Sequence, residues 1–313
     1  MEHNLVFYSE KMKEIHELAK QYAPFSTSVM IQGETGVGKE VIANTIHKYS
    51  PKSNMPFIKV NCGAISESLA DSELLGYEND TLTGNGSKGK VGIFESAYNG
   101  SLLLDEVGEL SPILQAKLLR ALQEQEVKKP GISWSKSVDV RIITCTNLDI
   151  VNQVKSNKFR KDLFYRLNVA NIEIPPLRKR KEDIMPLLEC FLRELINRYN
   201  IKKSFSENAL FNIYNHKFEG NVRELKNIVE SSYITAKNEV ITLDDLPRYL
   251  IDTKDASKSS SFLSDRLDKY EKEIISNALL CTSSIRSAAS LLGLSNATLL
   301  RRIEKYDLRD IIK

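Results

Sequence analysis

The chain has 313 residues, of which 42% are hydrophobic and 27% charged, an ordinary balance for a globular protein and a length that predicts two or three domains. No apolar run approaches the roughly 20 residues that span a bilayer, and Met1-Glu-His-Asn4 has no leader character, so a cytoplasmic protein with no membrane attachment is expected. Four scattered cysteines (Cys62, Cys145, Cys190 and Cys281) suit neither a disulfide frame nor a zinc site, and a net charge of +3 argues neither for nor against nucleic acid.

From residue 5 to about 176, helical patterns alternate with short apolar runs at Val29–Gln32, Phe57–Val60, Ser101–Leu104, Val140–Thr144 and Val169–Ile174. Such alternation predicts an α/β fold, a parallel sheet with helices on both faces. The first strand runs straight into Gly33, Glu34, Thr35, Gly36, Val37, Gly38, Lys39 and Glu40, which fits G-x-x-x-x-G-K, with a helical pattern (Val41, Ile42, Ile46) behind it. Glycines let such a loop turn its N–H groups toward phosphate oxygens. The next helix adds its positive end, and Lys39 neutralises the outer phosphates. Glu40 stands where Ser or Thr normally offers a hydroxyl to Mg²⁺.

The third strand ends Leu102-Leu-Leu-Asp105-Glu106. A carboxylate at the end of a neighbouring strand helps to hold the metal in P-loop enzymes, a part that falls to Asp105, which leaves Glu106 to polarise the attacking water. The chemistry implied is nucleoside triphosphate hydrolysis, and the motif does not separate ATP from GTP.

Pro175-Pro176 closes this unit. Residues 182–250 read as all helical, with Ile184–Tyr199, Glu207–Asn215, Val222–Lys237 and a last segment after Leu243-Asp244-Asp245. Small and polar residues over 252–261 read as a flexible linker. Beyond it, 263–280 predicts an amphipathic helix with Leu267, Tyr270, Ile274 and Leu279 near one stripe. Ile285–Leu292, a turn at Gly293-Leu294-Ser295 and Asn296–Tyr306 then give a helix-turn-helix pattern. Asn296, Thr298, Arg301, Arg302 and Lys305 lie on the second of these helices, where they could reach phosphates or base edges of DNA. The domain expectation is an α/β unit over 1–176, a helical unit over 177–251, a linker over 252–262 and a DNA-binding unit over 263–313.

Taken together, these motifs resemble the bacterial enhancer-binding proteins, AAA+ ATPases that act on the sigma-54 form of RNA polymerase, and the resemblance covers essentially the whole chain. Gly33–Glu40 is similar to that family's Walker A, in which Glu follows the lysine, and Leu103-Leu104-Asp105-Glu106 to its Walker B. The resemblance makes Asn61 the switch asparagine that restrains Glu106, and Asn147, after Thr146, sensor I. Phe159-Arg160-Lys-Asp-Leu-Phe-Tyr-Arg166 looks like the segment with two arginine fingers, Arg160 and Arg166. Gly220-Asn-Val-Arg223 looks like sensor II, although Phe218-Glu219 replaces the usual Trp-Pro. What the resemblance implies is an ATP- and Mg²⁺-dependent ATPase with its site between subunits. It also implies a hexamer built from dimers, a helical lid over 177–251, and a Fis-type helix-turn-helix bound to upstream, enhancer-like DNA. Intact Glu106, Arg160 and Arg166 speak against a regulator that binds nucleotide without turning it over, and the helix-turn-helix speaks against an unfoldase or protease subunit.

The loop by which the family touches sigma-54 RNA polymerase holoenzyme carries Gly-Ala-Phe-Thr-Gly-Ala, and the stretch aligned here is Asp80-Thr81-Leu82-Thr83-Gly84-Asn85. Thr83 and Gly84 are kept, while Leu82 replaces the aromatic and buries less area. One reading retains sigma-54 remodelling through altered contacts; the alternative is a DNA-binding regulator independent of sigma-54. The first is favoured because the ATPase residues form a complete set. The AAA+ pattern begins within a few residues of Met1, so the sequence predicts regulation by a separate protein, unless it is a fragment of a longer chain.

Overall fold

Three apolar residues in a row, Leu102–Leu104, cannot all face one side of a strand, so that strand has to be covered on both faces. The computed structural model, which describes residues 7–77, 90–124, 126–127, 136–137, 139–251, 271–272, 275–276, 279, 285–306 and 308, places it inside a five-stranded sheet. The strands are β1 (Val29–Gln32), β2 (Phe57–Asn61), β3 (Ser101–Asp105), β4 (Arg141–Thr146) and β5 (Ala170–Glu173), each within two residues of its sequence expectation. All pair in parallel, in the order β2–β3–β4–β1–β5. The Asp105 strand is therefore not the immediate neighbour of the P-loop strand, as expected from the sequence. The connection out of β1 passes over two positions, which β3 and β4 then fill.

The period of two sorts the sheet's side chains cleanly. Val29, Ile31, Leu103, Ile143 and Ile172 pack with Met12, Ile15 and Ala19 of α1 (Glu10–Tyr22) and Ile42 and Ile46 of α2 (Lys39–Lys48). Met30, Leu102, Leu104 and Ile142 face the other way. They meet Leu114, Leu118 and Leu122 of α3 (Pro112–Glu124) and Leu163 and Leu167 of α4 (Lys161–Leu167). Arg141 of β4 is buried and donates Nη1 and Nη2 to the carbonyls of Ala23 and Tyr22, at 2.5 and 2.7 Å, satisfying the C-terminal end of α1. Burial holds its guanidinium down at about 10.

The helical part contains α5 (Ile184–Tyr199), α6 (Glu207–Asn215) and α7 (Asn221–Thr235). Leu188 and Leu195 of α5 and Leu225, Ile228 and Val229 of α7 are buried where these two helices pack. Sheet and lid form one compact unit, Met1–Pro247; Arg248–Lys313 form a second. In the second unit, α8 (Ile285–Leu291) and α9 (Asn296–Lys305) enclose Ala288, Ala289, Leu299 and Ile303, together with Ile275 and Leu279. Gly293 takes the turn at φ +64°, and the Ser295 side chain caps α9 by accepting from the Thr298 N–H at 3.2 Å. The linker 252–262, Leu267, Tyr270, Ile274 and the loop residues Leu82, Thr83 and Gly84 lie outside the described residues. No helix among the described residues is long and apolar enough to cross a membrane.

Candidate functional site

In a parallel sheet every strand delivers its following loop to the same edge, where ligands bind in open α/β folds. The P-loop leaves β1 there, Asn61 and Asp105 end β2 and β3 in register with one another, and Thr146-Asn147 ends β4. Because β4 lies between β1 and β3, Asn147 reaches the P-loop: its Nδ2 donates to Thr35 Oγ1 at 3.1 Å. The P-loop itself is anchored by the Gly33 N–H on the Thr146 carbonyl at 3.2 Å.

Lys39 opens α2 and is half-buried. Its Nζ donates to the carbonyls of Gly33 and Glu34 at 2.8 and 3.1 Å, spanning the loop. Burial pushes the ammonium below its ordinary range, while the Asp105 and Glu106 carboxylates pull it back up. Burial also raises the Cys62 thiol to about 12 and the Cys145 thiol further, so the cysteines of this region are packing groups. Asp105 Oδ1 accepts the Glu106 N–H at 3.0 Å, and its Oδ2 has no protein partner among the described residues. Glu106 sits at φ +55°, ψ +42°, a left-handed conformation that costs a non-glycine residue roughly 1–2 kcal/mol. Asn61 makes no hydrogen bond to Glu106; its Oδ1 accepts from the Gly63 N–H at 2.8 Å. The two side chains nevertheless converge on Gly63, where a Cβ would stand 3.3 Å from Asn61 Oδ1 and 3.7 Å from Glu106 Oε2.

Among the described residues no group of three or more His, Cys, Asp or Glu could hold a metal ion alone. One open carboxylate oxygen beside a phosphate cradle fits Mg²⁺, which takes one or two carboxylates and fills its octahedron with phosphate oxygens and water. Glu40 points elsewhere: its Oε1 is 2.7 Å from Nζ of Lys59 on β2, an exposed ion pair.

The lid is bolted to the P-loop. The Gly36 carbonyl accepts the N–H groups of Val222 and Arg223 at 3.0 and 3.3 Å. Gly36 has φ +80°, and a Cβ there would lie 2.3 Å from the Gly220 carbonyl oxygen, so the position needs glycine for two reasons. Asn221, fully buried and itself left-handed, donates Nδ2 to Glu34 Oε2 and the Thr35 carbonyl, both at 3.1 Å, and accepts the Leu177 N–H at 2.8 Å. Glu34 also takes both Nη atoms of Arg178, at 2.7 and 2.5 Å. Neither Asn221 nor Arg178 stood out in the sequence, though Asn221 lies inside the Gly220–Arg223 motif and Arg178 in the charged run after Pro175-Pro176. Arg223 starts α7 over the loop, with its Cβ 3.0 Å from where a Gly36 Cβ would stand.

The Arg178 and Asn221 hydrogen bonds hold the Glu34 carboxyl at about 2, well under its ordinary 4.5. A depressed carboxylate stabilises the fold fully above the unfolded value and loses that contribution as pH falls through the folded value. The expected result is a lid contact unchanged above about pH 5 that weakens from about 4.5 toward 2. Because the pair is partly exposed, its contribution stays below about 1 kcal/mol. Acid melts of the parent and of Glu34→Gln check this: only the parent should show the added slope in that window.

Of the two arginines Arg160 and Arg166, the second lies apart from this edge. Arg160, at the N-terminus of α4, pairs with Asp162 through Nε and Nη2 at 3.1 and 2.8 Å, with both side chains about half exposed. Arg166 donates Nη2 to the Leu122 carbonyl at 3.0 Å and lines a cavity of about 270 Å³ with Ser26–Ser28, Asp139, Val140 and Val169. Those residues precede β1, β4 and β5, so Arg166 sits at the N-terminal edge of the sheet, opposite its own P-loop.

On α9, Asn296, Arg301 and Lys305 are exposed, and Thr298 folds back onto Ser295. Arg302 is partly exposed and ion-paired with Glu271, which also accepts from Tyr306 Oη at 2.5 Å.

Residues 5–173, more than half the chain, match the family described as the Sigma-54 interaction domain, 178–262 match an AAA+ ATPase lid domain and 261–309 a helix-turn-helix domain. Over 240 residues the chain is 46% identical to the Nif-specific regulatory protein of Herbaspirillum seropedicae, covering 76% of this chain and 44% of that protein. It is 40% identical over 307 residues to nitrogen fixation protein AnfA of Azotobacter vinelandii, covering 97% and 57%. The crystal structure of NtrX from Brucella abortus in complex with ADP superposes with a TM-score of 0.74 at 31% identity, covering 97% of this chain and 70% of that one. The chain spans about half the length of the curated relatives it matches.

Proposed function

The chain belongs to the sigma-54-dependent AAA+ transcription regulators, and we propose that it binds DNA upstream of promoters and couples ATP hydrolysis to activation of sigma-54 RNA polymerase. The observation that carries this reading is the convergence of P-loop, Asp105, Glu106, Asn61 and Asn147 on one sheet edge, under a lid fixed to Gly36. In this reading the loop N–H groups and Lys39 hold the phosphates, and Glu106 polarises the water. Asn61 senses phosphate loss beside Glu106, and Arg223 and Asn147 report it to the lid and the sheet. Mg²⁺, held at Asp105, would neutralise charge on the phosphate oxygens.

Arg160 and Arg166 act on a neighbour. Arg166, at the sheet edge opposite its own P-loop, suits a head-to-tail ring in which α4 of one copy faces the nucleotide of the next. We take the ring to be a hexamer assembled from dimers, working in the cytoplasm where DNA and polymerase are found. Leu82, Thr83 and Gly84 form the polymerase contact. The match of 5–173 to the Sigma-54 interaction domain supports this over the sigma-54-independent alternative.

Open-complex formation by sigma-54 polymerase on a promoter linked to the protein's own binding site tests the proposal. ATP-dependent stimulation is expected; none, at a site the protein demonstrably occupies, overturns it. For DNA contact, Arg301→Ala is expected to weaken binding several-fold and lower the salt slope by about one, the signature of a lost phosphate contact. Arg302→Ala should leave the slope unchanged, since that guanidinium serves Glu271. Titrations at three salt concentrations separate the two.

A further inference from the structure

Arg180 and Asp183 lie between β5 and α5 with side chains only 4% and 0% exposed. Two opposite charges withdrawn from water are a costly arrangement unless further hydrogen bonds complete them. Arg180 finds a further partner on the P-loop, donating Nη2 to the Val37 carbonyl at 2.8 Å, while its Nη1 stands 3.5 Å from Asp183 Oδ2 and its Nε has no partner among the described residues. Asp183 is completed by the chain entering α1. Its Oδ1 accepts the N–H groups of Tyr8 and Ser9 at 3.1 and 2.6 Å, and its Oδ2 accepts the Ser9 hydroxyl at 2.9 Å. Ser9 is in turn the N-cap of α1.

The Val37–Gly38 peptide is where such a grip matters. It lies between Gly36 at φ +80° and Gly38 at φ +104°, residues with little conformational preference of their own. In a trans peptide the N–H points opposite to the preceding carbonyl. Holding the Val37 oxygen from behind therefore fixes the direction of the Gly38 N–H, one of the donors that open α2.

We propose that Arg180 is a positioning residue for the nucleoside triphosphate: it orients the Val37–Gly38 peptide, and Asp183 ties that orientation to the start of α1. This rests on reading the loop as the ATP site. Binding of a fluorescent ADP analogue, together with ATP KM and kcat, tests it on the full chain, with circular dichroism melts to correct for folded fraction. Arg180→Gln is expected to raise the analogue's Kd and the KM about tenfold or more with a smaller change in kcat, and Arg180→Lys to recover part of the loss. Ser9→Ala, remote from the loop and milder, is expected to shift both constants about two- to fivefold the same way, and decides the matter should Arg180→Gln not fold. Parental Kd and KM in folded Arg180→Gln, or in Ser9→Ala, overturn the proposal. Lys39→Ala distinguishes the underlying reading: if it too binds like the parent, the loop is not the nucleotide site.

Discussion

Glu106→Gln should lower ATP turnover by roughly 100- to 10,000-fold while nucleotide affinity stays within about threefold of the parent. The substitution keeps the shape of the side chain and removes its basicity. In the proposed site the phosphates fall to other groups: the loop N–H donors, Lys39, which spans the carbonyls of Gly33 and Glu34, and Asn147, which holds Thr35. Glu106 itself reaches the sheet edge only by adopting the left-handed backbone, with its N–H tied to Asp105 Oδ1. Steady-state turnover and binding of a fluorescent ADP analogue measure the two halves separately. Equal turnover in variant and parent would remove Glu106 from the chemistry.

The second large effect concerns the arrangement of copies. Arg166→Ala should lose about 1,000-fold in turnover, the contribution of an arginine supplied to the transferring phosphoryl group. Lys39→Ala should be similarly inactive for a different reason, a defective cradle. Mixed in equal amounts, the two are expected to regain activity. An intact P-loop from the first then meets an intact Arg166 from the second at about a quarter of the junctions of a head-to-tail ring. If Arg166 served its own chain, no mixture would recover. Its position at the N-terminal edge of the sheet, beside Ser26–Ser28, makes recovery the expected result. Because Arg166 also satisfies the Leu122 carbonyl, the melting temperature of Arg166→Ala should be measured alongside, with about 1 kcal/mol of destabilisation anticipated.

Much of this was legible from side-chain pattern. Apolar runs located five strands, the glycines and Lys39 located the loop, and Ser295 located the start of α9, because each of these signals is local. The order of the strands was not local. Nothing near residues 29–32 says that 141–146, and not 101–105, lies beside them, and that insertion is what brings Asn147 to Thr35. Asn221, Arg178 and Arg180 were missed for a related reason. Each acts across 140 or more residues of chain, on the P-loop, and surface charge is the ordinary expectation for an arginine in a basic run. The Arg302–Glu271 pair was not legible because its two members stand on different segments.

The joint between lid and P-loop is made at its centre by main chain alone: one carbonyl taking two N–H groups, with Gly36 so close to the Gly220 carbonyl oxygen that residue 36 has no room for a side chain. Every residue but proline offers the same backbone donor and acceptor, so the hydrogen bonds of this joint are not tuned by side-chain chemistry. The joint is broken by adding bulk at residue 36 or by removing an N–H with proline at 222 or 223. A mutational survey of the whole chain should therefore find residue 36 intolerant of every replacement, alanine included, while Glu34 and Arg178, which grip the same joint through side chains, accept graded changes.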